Sequence, residues 1–248
     1  MVEDRMPDFS VDFGGRTAIV TGAGSGAARA TALALAAAGA NVFVNDQNPD
    51  RVDTVLDAIR AAGGRAEGMQ GDITNRFQAA AMIENARDAF GRIHYLVNGA
   101  GVFKAEPLLN IDEWDWRRQI EVNIVGPFFC TQLVARVMSS EGGGSILHFA
   151  STAGNPHTLA QGVGYVAGKA GLVGMVRQAA RELAPVGVRV NALLLGHVAE
   201  EDMPAALTPP NALGRMGSAE EAANAALFLL SDAASFITGA AVPVDGGG

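Results

Sequence analysis

A single cysteine occurs in the 248 residues, so no disulfide can form within the chain and a small scaffold stapled by bridges is excluded. Cys130 lies in the apolar run Gly126-Pro-Phe-Phe-Cys-Thr and reads as a core residue rather than a nucleophile. Charge is sparse too. Charged residues make up 18%, and 26 acids against 18 bases leave a net charge of −8 with no Lys/Arg cluster to track phosphates. Nucleic acid is therefore not an expected partner. Long apolar runs are missing: Ala30 to Ala40 falls short of the roughly 20 residues that cross a bilayer. Met1 to Phe13 mixes acids with Arg5 and Pro7 and has no apolar stretch of a secretory leader. The expectation is a cytoplasmic protein with no membrane partner. His94, His148, His157 and His197 show no paired spacing with cysteine or acids, so no metal is expected. His94 and His148 read as structural; His157 and His197 fall on loops, either as surface residues or as substrate contacts.

What the chain has is apolar residues, 49%, and 31 glycines, a composition suited to close helix–sheet packing. Strand-length runs at Thr17–Val20, Val42–Val44, Ile93–Val97, Ser145–Phe149 and Val188–Leu194 alternate with helical patterns. The helices read as Gly26–Ala38, Asp50–Ala62, Arg76–Phe90, Asp112–Met138, Gly162–Ala184 and Ala219–Ser231. Continuously apolar strands alternating with helices predict an α/β fold, a doubly wound sheet covered on both faces. No composition break divides the chain. Residues 1–13 read as a tail and 14–248 as one domain, in which the acid- and proline-rich stretch 196–212 is either a lid over a site or a plain surface loop.

The first strand runs into Thr21-Gly-Ala-Gly-Ser-Gly-Ala-Ala28 and then an alanine-rich helix. Glycines let the backbone approach a pyrophosphate, and the helix N-terminus supplies amides and positive dipole. Gly22, Ser25, Gly26 and Ala27 are the candidate contacts. Asp46 ends the second strand, where a carboxylate can accept from a ribose hydroxyl and repel a 2′-phosphate, which favours NAD over NADP; the alternative is a solvated loop aspartate. Asp72, with Ile73 beside it, either reaches an adenine or caps the helix that starts near Asn75.

Tyr165 and Lys169 are four residues apart on a helix and so share a face. An unperturbed phenol titrates near about 10, and an adjacent ammonium stabilises its phenolate, bringing it toward acid/base use. The spacing alone is common on inert helices. Ser151, at the carboxyl end of a strand, supplies a hydroxyl to hold a substrate oxygen beside Tyr165.

With these elements in order, followed by Asn98-Gly-Ala-Gly101, Asn123, Arg189-Val-Asn191 and Val244-Asp-Gly-Gly, the chain resembles the short-chain dehydrogenase/reductase family from Gly14 to Gly247. The resemblance implies a Rossmann-type, mostly parallel seven-stranded sheet. It implies that Tyr165 is the general acid/base, that Lys169 lowers its pKa and binds the nicotinamide ribose, and that Ser151 polarises the substrate oxygen. Asn123 would hold a water linking Lys169 to solvent. Asn98 and Ala100 would lie beneath the adenosine, Asn98 also bracing the sheet, and Gly196 and Val198 would shape the nicotinamide pocket.

Some positions depart from the pattern. Ala28 stands for the third turn glycine, Gly99 for the second asparagine of the usual Asn-Asn-Ala-Gly, Leu195 for proline, and Glu200 for threonine. A carboxylate at Glu200 near the nicotinamide would favour the oxidised cofactor, unless it faces solvent. The resulting expectation is an NAD(H)-dependent oxidoreductase interconverting a small or cyclic secondary alcohol and its ketone. The near alternative is a 3-oxoacyl-thioester reductase, weakened by the lack of basic residues in the loop Ser139–Gly144; the distant one is a non-catalytic nucleotide-binding sensor or scaffold. The resemblance also implies a homotetramer or homodimer, consistent with apolar residues on more than one side of the long helices.

Overall fold

Apolar runs become strands and the segments between them helices in a computed structural model that describes residues 11–154, 157–199 and 211–248. In chain order these are β1 (Thr17–Thr21), α1 (Gly26–Ala37), β2 (Asn41–Asp46), α2 (Pro49–Ala61), β3 (Arg65–Gln70), α3 (Arg76–Phe90) and β4 (Tyr95–Asn98). Then follow α4 (Glu113–Ile120), a π-helical turn (Glu121–Val125), α5 (Gly126–Ser140), β5 (Gly144–Ser151), α6 (Val163–Leu183), β6 (Val188–Leu195), α7 (Ala219–Leu230) and β7 (Ala241–Val244).

The strands pair in the order β3-β2-β1-β4-β5-β6-β7, every neighbour parallel, so the sheet expected to be mostly parallel is parallel throughout. From β1 the chain winds outward to β3, returns to β4 on the other side of β1, and winds outward again. That reversal opens a crevice at the carboxyl ends of β1 and β4, where sheets of this kind take ligands.

Alternation along each strand sends side chains to two cores. Val20, Val42, Leu147 and Leu193 pack toward α1, α2 and α7; Ile19, Phe43, Leu96 and Ile146 pack toward α3, α5 and α6. β3, Arg-Ala-Glu-Gly-Met-Gln, carries no comparable apolar run, and β7 is a short Ala-Val-Pro-Val. They are the sheet's edges, paired on one side only, and need less burial to be held.

The single helix expected over Asp112–Met138 is instead two helices joined by the π-helical turn. Asp112 caps α4 by accepting from Asp115 N at 2.7 Å. The stretch Glu113–Ser140 has the length and apolar content of a membrane span, but half of its most apolar window is buried within the fold. Its contacts with α3 and α6 make it a core element.

Candidate active site

Four helix N-termini are closed by side chains: Asn48 for α2, Asn75 for α3, Asp112 for α4 and Ser218 for α7. The start of α1 is not. Ser25 is extended but makes no side-chain capping bond, and no acid lies in the first turn. Its amides and dipole are left facing the crevice, the arrangement that receives an anion.

The turn around that opening depends on missing side chains. Gly22 has φ 64°, and a side-chain carbon there would come within 2.5 Å of Ala100 Cα. One at Gly24 would lie 2.7 Å from Asp46 Oδ2, while above Gly26 the space is open. Asp46 is not a free loop carboxylate: Oδ2 accepts from Gly24 N at 3.0 Å and Oδ1 from Asn48 N at 2.9 Å. The carboxylate is therefore fixed beside the turn. Glycines that leave room for a pyrophosphate, open amides and a carboxylate at the end of β2 fit a dinucleotide.

Two of the sequence departures answer each other. A side-chain carbon on Gly99 would stand 2.6 Å from Ala28 Cβ and 2.8 Å from Thr21 O. The methyl group gained at position 28 occupies the room given up at position 99, so the two elements still approach closely. Gly99 N also donates to Thr21 O at 3.2 Å, tying the ends of β1 and β4 together.

Asp72 does not cap α3, a role that Asn75 takes by accepting from Phe77 N and Gln78 N. Instead Asp72 Oδ1 accepts from Thr74 N and Oγ, and Oδ2 faces Arg118 Nη1 at 3.2 Å. Burial opposes its ionisation, but the Thr74 bonds and Arg118 outweigh that and hold the carboxyl below its usual range. The Ile73 side chain is buried and fills the room left by Gly126.

Asn98 points into the core. Its Nδ2 donates to Thr131 Oγ at 3.3 Å, and Thr131 Oγ lies 3.3 Å from His148 Nε2. This buried chain ties α5 to β4 and β5. His148 is structural: burial pushes its imidazole down to about 3, and the Lys169 ammonium acts in the same direction. His94 accepts from Thr17 N through Nδ1 and is likewise structural, and Cys130 is a buried thiol pushed up to about 12 by desolvation.

The polar side chains at the other side of the crevice are fixed by backbone. Lys169 is only 4% exposed; its Nζ donates to Phe149 O at 2.7 Å and stands 5.6 Å from the centre of the Tyr165 ring. Two residues further along β5, Ser151 Oγ donates to Leu195 O at 3.3 Å and accepts from Ala153 N at 3.0 Å. Asn123 sits in the π-helical turn, a distortion that re-aims side chains and recurs at functional sites. Its Nδ2 donates to Val102 O at 2.8 Å and Gln119 O at 2.9 Å. Gly101 lies between them, since a carbon added there would be 3.2 Å from Asn123 Oδ1 and 3.3 Å from Lys169 Nζ.

Gly196 follows β6 and packs on Thr152; Val198 forms a bridge with Gly217. Between them His197 has φ 55°, and His157 Nε2 lies 3.0 Å from Gly248 O. Glu200 and most of the expected lid 196–212 lie outside the described residues.

The family model described as enoyl-(acyl carrier protein) reductase matches residues 22–248. The chain is 38% identical to cis-4-hydroxycyclohexanecarboxylate dehydrogenase of Sinomonas cyclohexanicum, over 95% of this chain and 97% of that one. It is 36% identical to 3-oxoacyl-[acyl-carrier-protein] reductase of Thermotoga maritima, over 94% and 97%. Among solved structures, 7α-hydroxysteroid dehydrogenase complexed with NADH and 7-oxo glycochenodeoxycholic acid superposes with a TM-score of 0.91 at 34% identity, covering 96% of each chain. This chain belongs to the short-chain dehydrogenase/reductase family.

Within this family member, sequence reasoning missed the segment that links β4 to α4. Gln119 accepts from Lys104 N at 3.1 Å through Oε1, and Asn123 Oδ1 accepts from Val102 N at 3.3 Å. The available signal was spacing: Gln119 stands one helical turn before Asn123. The loop Ser139–Gly144 misled in the other direction. It enters β5 at the end opposite Ser151, roughly 25 Å away by strand rise, so its lack of basic residues says nothing about a carrier protein at the site.

Proposed function

We propose that this protein is an NAD(H)-dependent dehydrogenase that interconverts a secondary alcohol and its ketone. The observation that carries this reading is the buried Lys169 ammonium, fixed on Phe149 O and held against the Tyr165 ring, on the strand that ends in Ser151.

Bound nicotinamide supplies or accepts the hydride. Tyr165 takes the hydroxyl proton during oxidation and returns one during reduction. Lys169, with little water around it, stabilises the phenolate and is placed to meet a ribose hydroxyl. Ser151, oriented by Leu195 O and Ala153 N, holds the substrate oxygen beside Tyr165. Asn123 braces the floor around Gly101 and stands on the route by which protons reach Lys169. At the nucleotide end, Gly22, Ser25, Gly26 and Ala27 receive the pyrophosphate. Asp46 receives the adenosine ribose and selects NAD over NADP; Asp72 and Ile73 border the adenine, Asn98 and Ala100 the adenosine. Gly196 and Val198 border the nicotinamide.

A specific observation favours a second reading, reduction of 3-oxoacyl thioesters: the 36% identity to a reductase of that name. The exposed apolar residues Phe77, Trp114, Phe128 and Phe236 support assembly into a homotetramer or homodimer, and a cytoplasmic location is part of the same proposal.

One experiment separates the two readings. Nicotinamide absorbance is followed with NAD and NADP against secondary alcohols, ketones and 3-oxoacyl thioesters, in wild type and Tyr165→Phe. Alcohol oxidation with NAD is expected, lowered about 10³-fold in the variant with NAD binding kept. Turnover of thioesters alone supports the second reading, and a Tyr165→Phe enzyme of undiminished rate overturns the mechanism.

A further inference from the structure

Phe103 lies in the irregular segment between β4 and α4, and that segment is pinned on both sides of it. Asn123 bonds Val102 in both directions, at 2.8 and 3.3 Å, and Gln119 accepts from Lys104 N at 3.1 Å. Gly162 N donates to Glu106 O at 3.3 Å. So held, the Phe103 ring meets Tyr165 edge to face, with centroids 5.2 Å apart and planes at 73°. Gly162 has φ 102°, and a side-chain carbon there would lie 2.6 Å from Phe103 Cε2, so the glycine makes room for the ring. Phe103 nevertheless remains 54% exposed.

An aromatic ring that is fixed in position, in contact with the acid/base residue and half open to solvent is a ready surface for apolar substrate. We propose that Phe103 is a specificity-determining residue, a wall against which the ring of a cyclic secondary alcohol or ketone is laid. This rests on the alcohol dehydrogenase reading above. A substrate oxygen within hydrogen-bond reach of the Tyr165 hydroxyl brings the substituents of its carbon near Phe103. A rigid ring buries apolar area there with few rotors to freeze, whereas a flexible linear chain loses more conformational freedom for the same contact. The enzyme therefore favours alicyclic or aromatic secondary alcohols over short linear ones.

The test compares kcat/KM for cyclohexanol and 2-butanol at saturating NAD in wild type, Phe103→Ala, Phe103→Leu and Phe103→Tyr, with Tm recorded for each. The cyclohexanol to 2-butanol ratio is expected to fall about tenfold in Phe103→Ala, less in Phe103→Leu, and to persist in Phe103→Tyr. The KM for NAD and the 2-butanol constants should move less than about threefold, since uniform damage to the fold would lower both substrates alike. A ratio unchanged within about twofold in both the alanine and leucine variants, or an equal loss for both alcohols, overturns the proposal. Should the alanine variant fail to fold, the leucine variant decides. Wild-type protein that oxidises neither alcohol refutes the underlying reading, a failure seen before any variant is made.

Discussion

The two sides of the crevice are built on opposite terms. On the nucleotide side, the turn from β1 into α1 works through what is absent: side chains at Gly22, Gly24 and Gly99, and a cap on α1. On the side proposed to be catalytic, the side chains themselves are present and tied to backbone carbonyls, Lys169 to Phe149, Ser151 to Leu195, Asn123 to Val102. The physical reason is the partner each side receives. A pyrophosphate needs backbone amides at close range, and any added carbon blocks them; a proton needs a titratable group held at one place, and mobility would spoil its position. Adding atoms should break the first side and removing them the second.

The largest effect is expected from Gly22→Val. A β-branched residue at φ 64° is strained, and its Cβ would press within 2.5 Å of Ala100 Cα. Together these should cost about 3 kcal/mol of stability and abolish NAD binding, as read by urea unfolding and fluorescence titration. If Gly22→Val binds NAD normally, the absence of a side chain is not what that turn is for.

Next comes the buried imidazole beneath the catalytic side. In the unfolded chain a histidine takes up a proton near pH 6.5, whereas folded His148 stays neutral down to about 3. Stability is therefore complete above about pH 6.5 and is lost as pH falls toward 3, by about 2 kcal/mol at pH 5 from this group. Urea unfolding at pH 7 and pH 5 should show that difference shrink in His148→Asn; an unchanged acid loss would mean that His148 is not buried neutral.

The smallest effect tests the paired departures. Gly99→Ala should destabilise by about 1.5 kcal/mol, because its methyl meets the Ala28 methyl. Combining it with Ala28→Gly should restore about 1 kcal/mol of that loss, with the 2.8 Å approach to Thr21 O keeping the rescue partial. Strict additivity in the double-mutant cycle would show that the two positions do not answer each other.

Much of this was legible along the chain because it is local. Apolar runs announced the five central strands, Tyr165 and Lys169 were placed on one face by helical periodicity, and the turn after β1 was readable from its glycines. The edges were harder: β3 is mostly polar, and β7 is four residues long with a proline in it. The π-helical turn at Asn123 was invisible, because the helical periodicity on either side of it continues without a breaker. Asp72 was left between two roles, and its ion pair with Arg118, 46 positions away in α4, was not legible from spacing.

By itself, then, the sequence determined the alternation of strand and helix, the family resemblance and the identity of the polar groups, all properties of residues a few positions apart. Only the tertiary structure decided that Lys169 is anchored to Phe149, that Ala28 and Gly99 share one space, that Phe103 is pressed against Tyr165, and that Ser139–Gly144 stands at the far end of the sheet. The three pairings among these join residues 20 to 71 positions apart, and distance in space across a folded sheet is not written in the spacing of a chain.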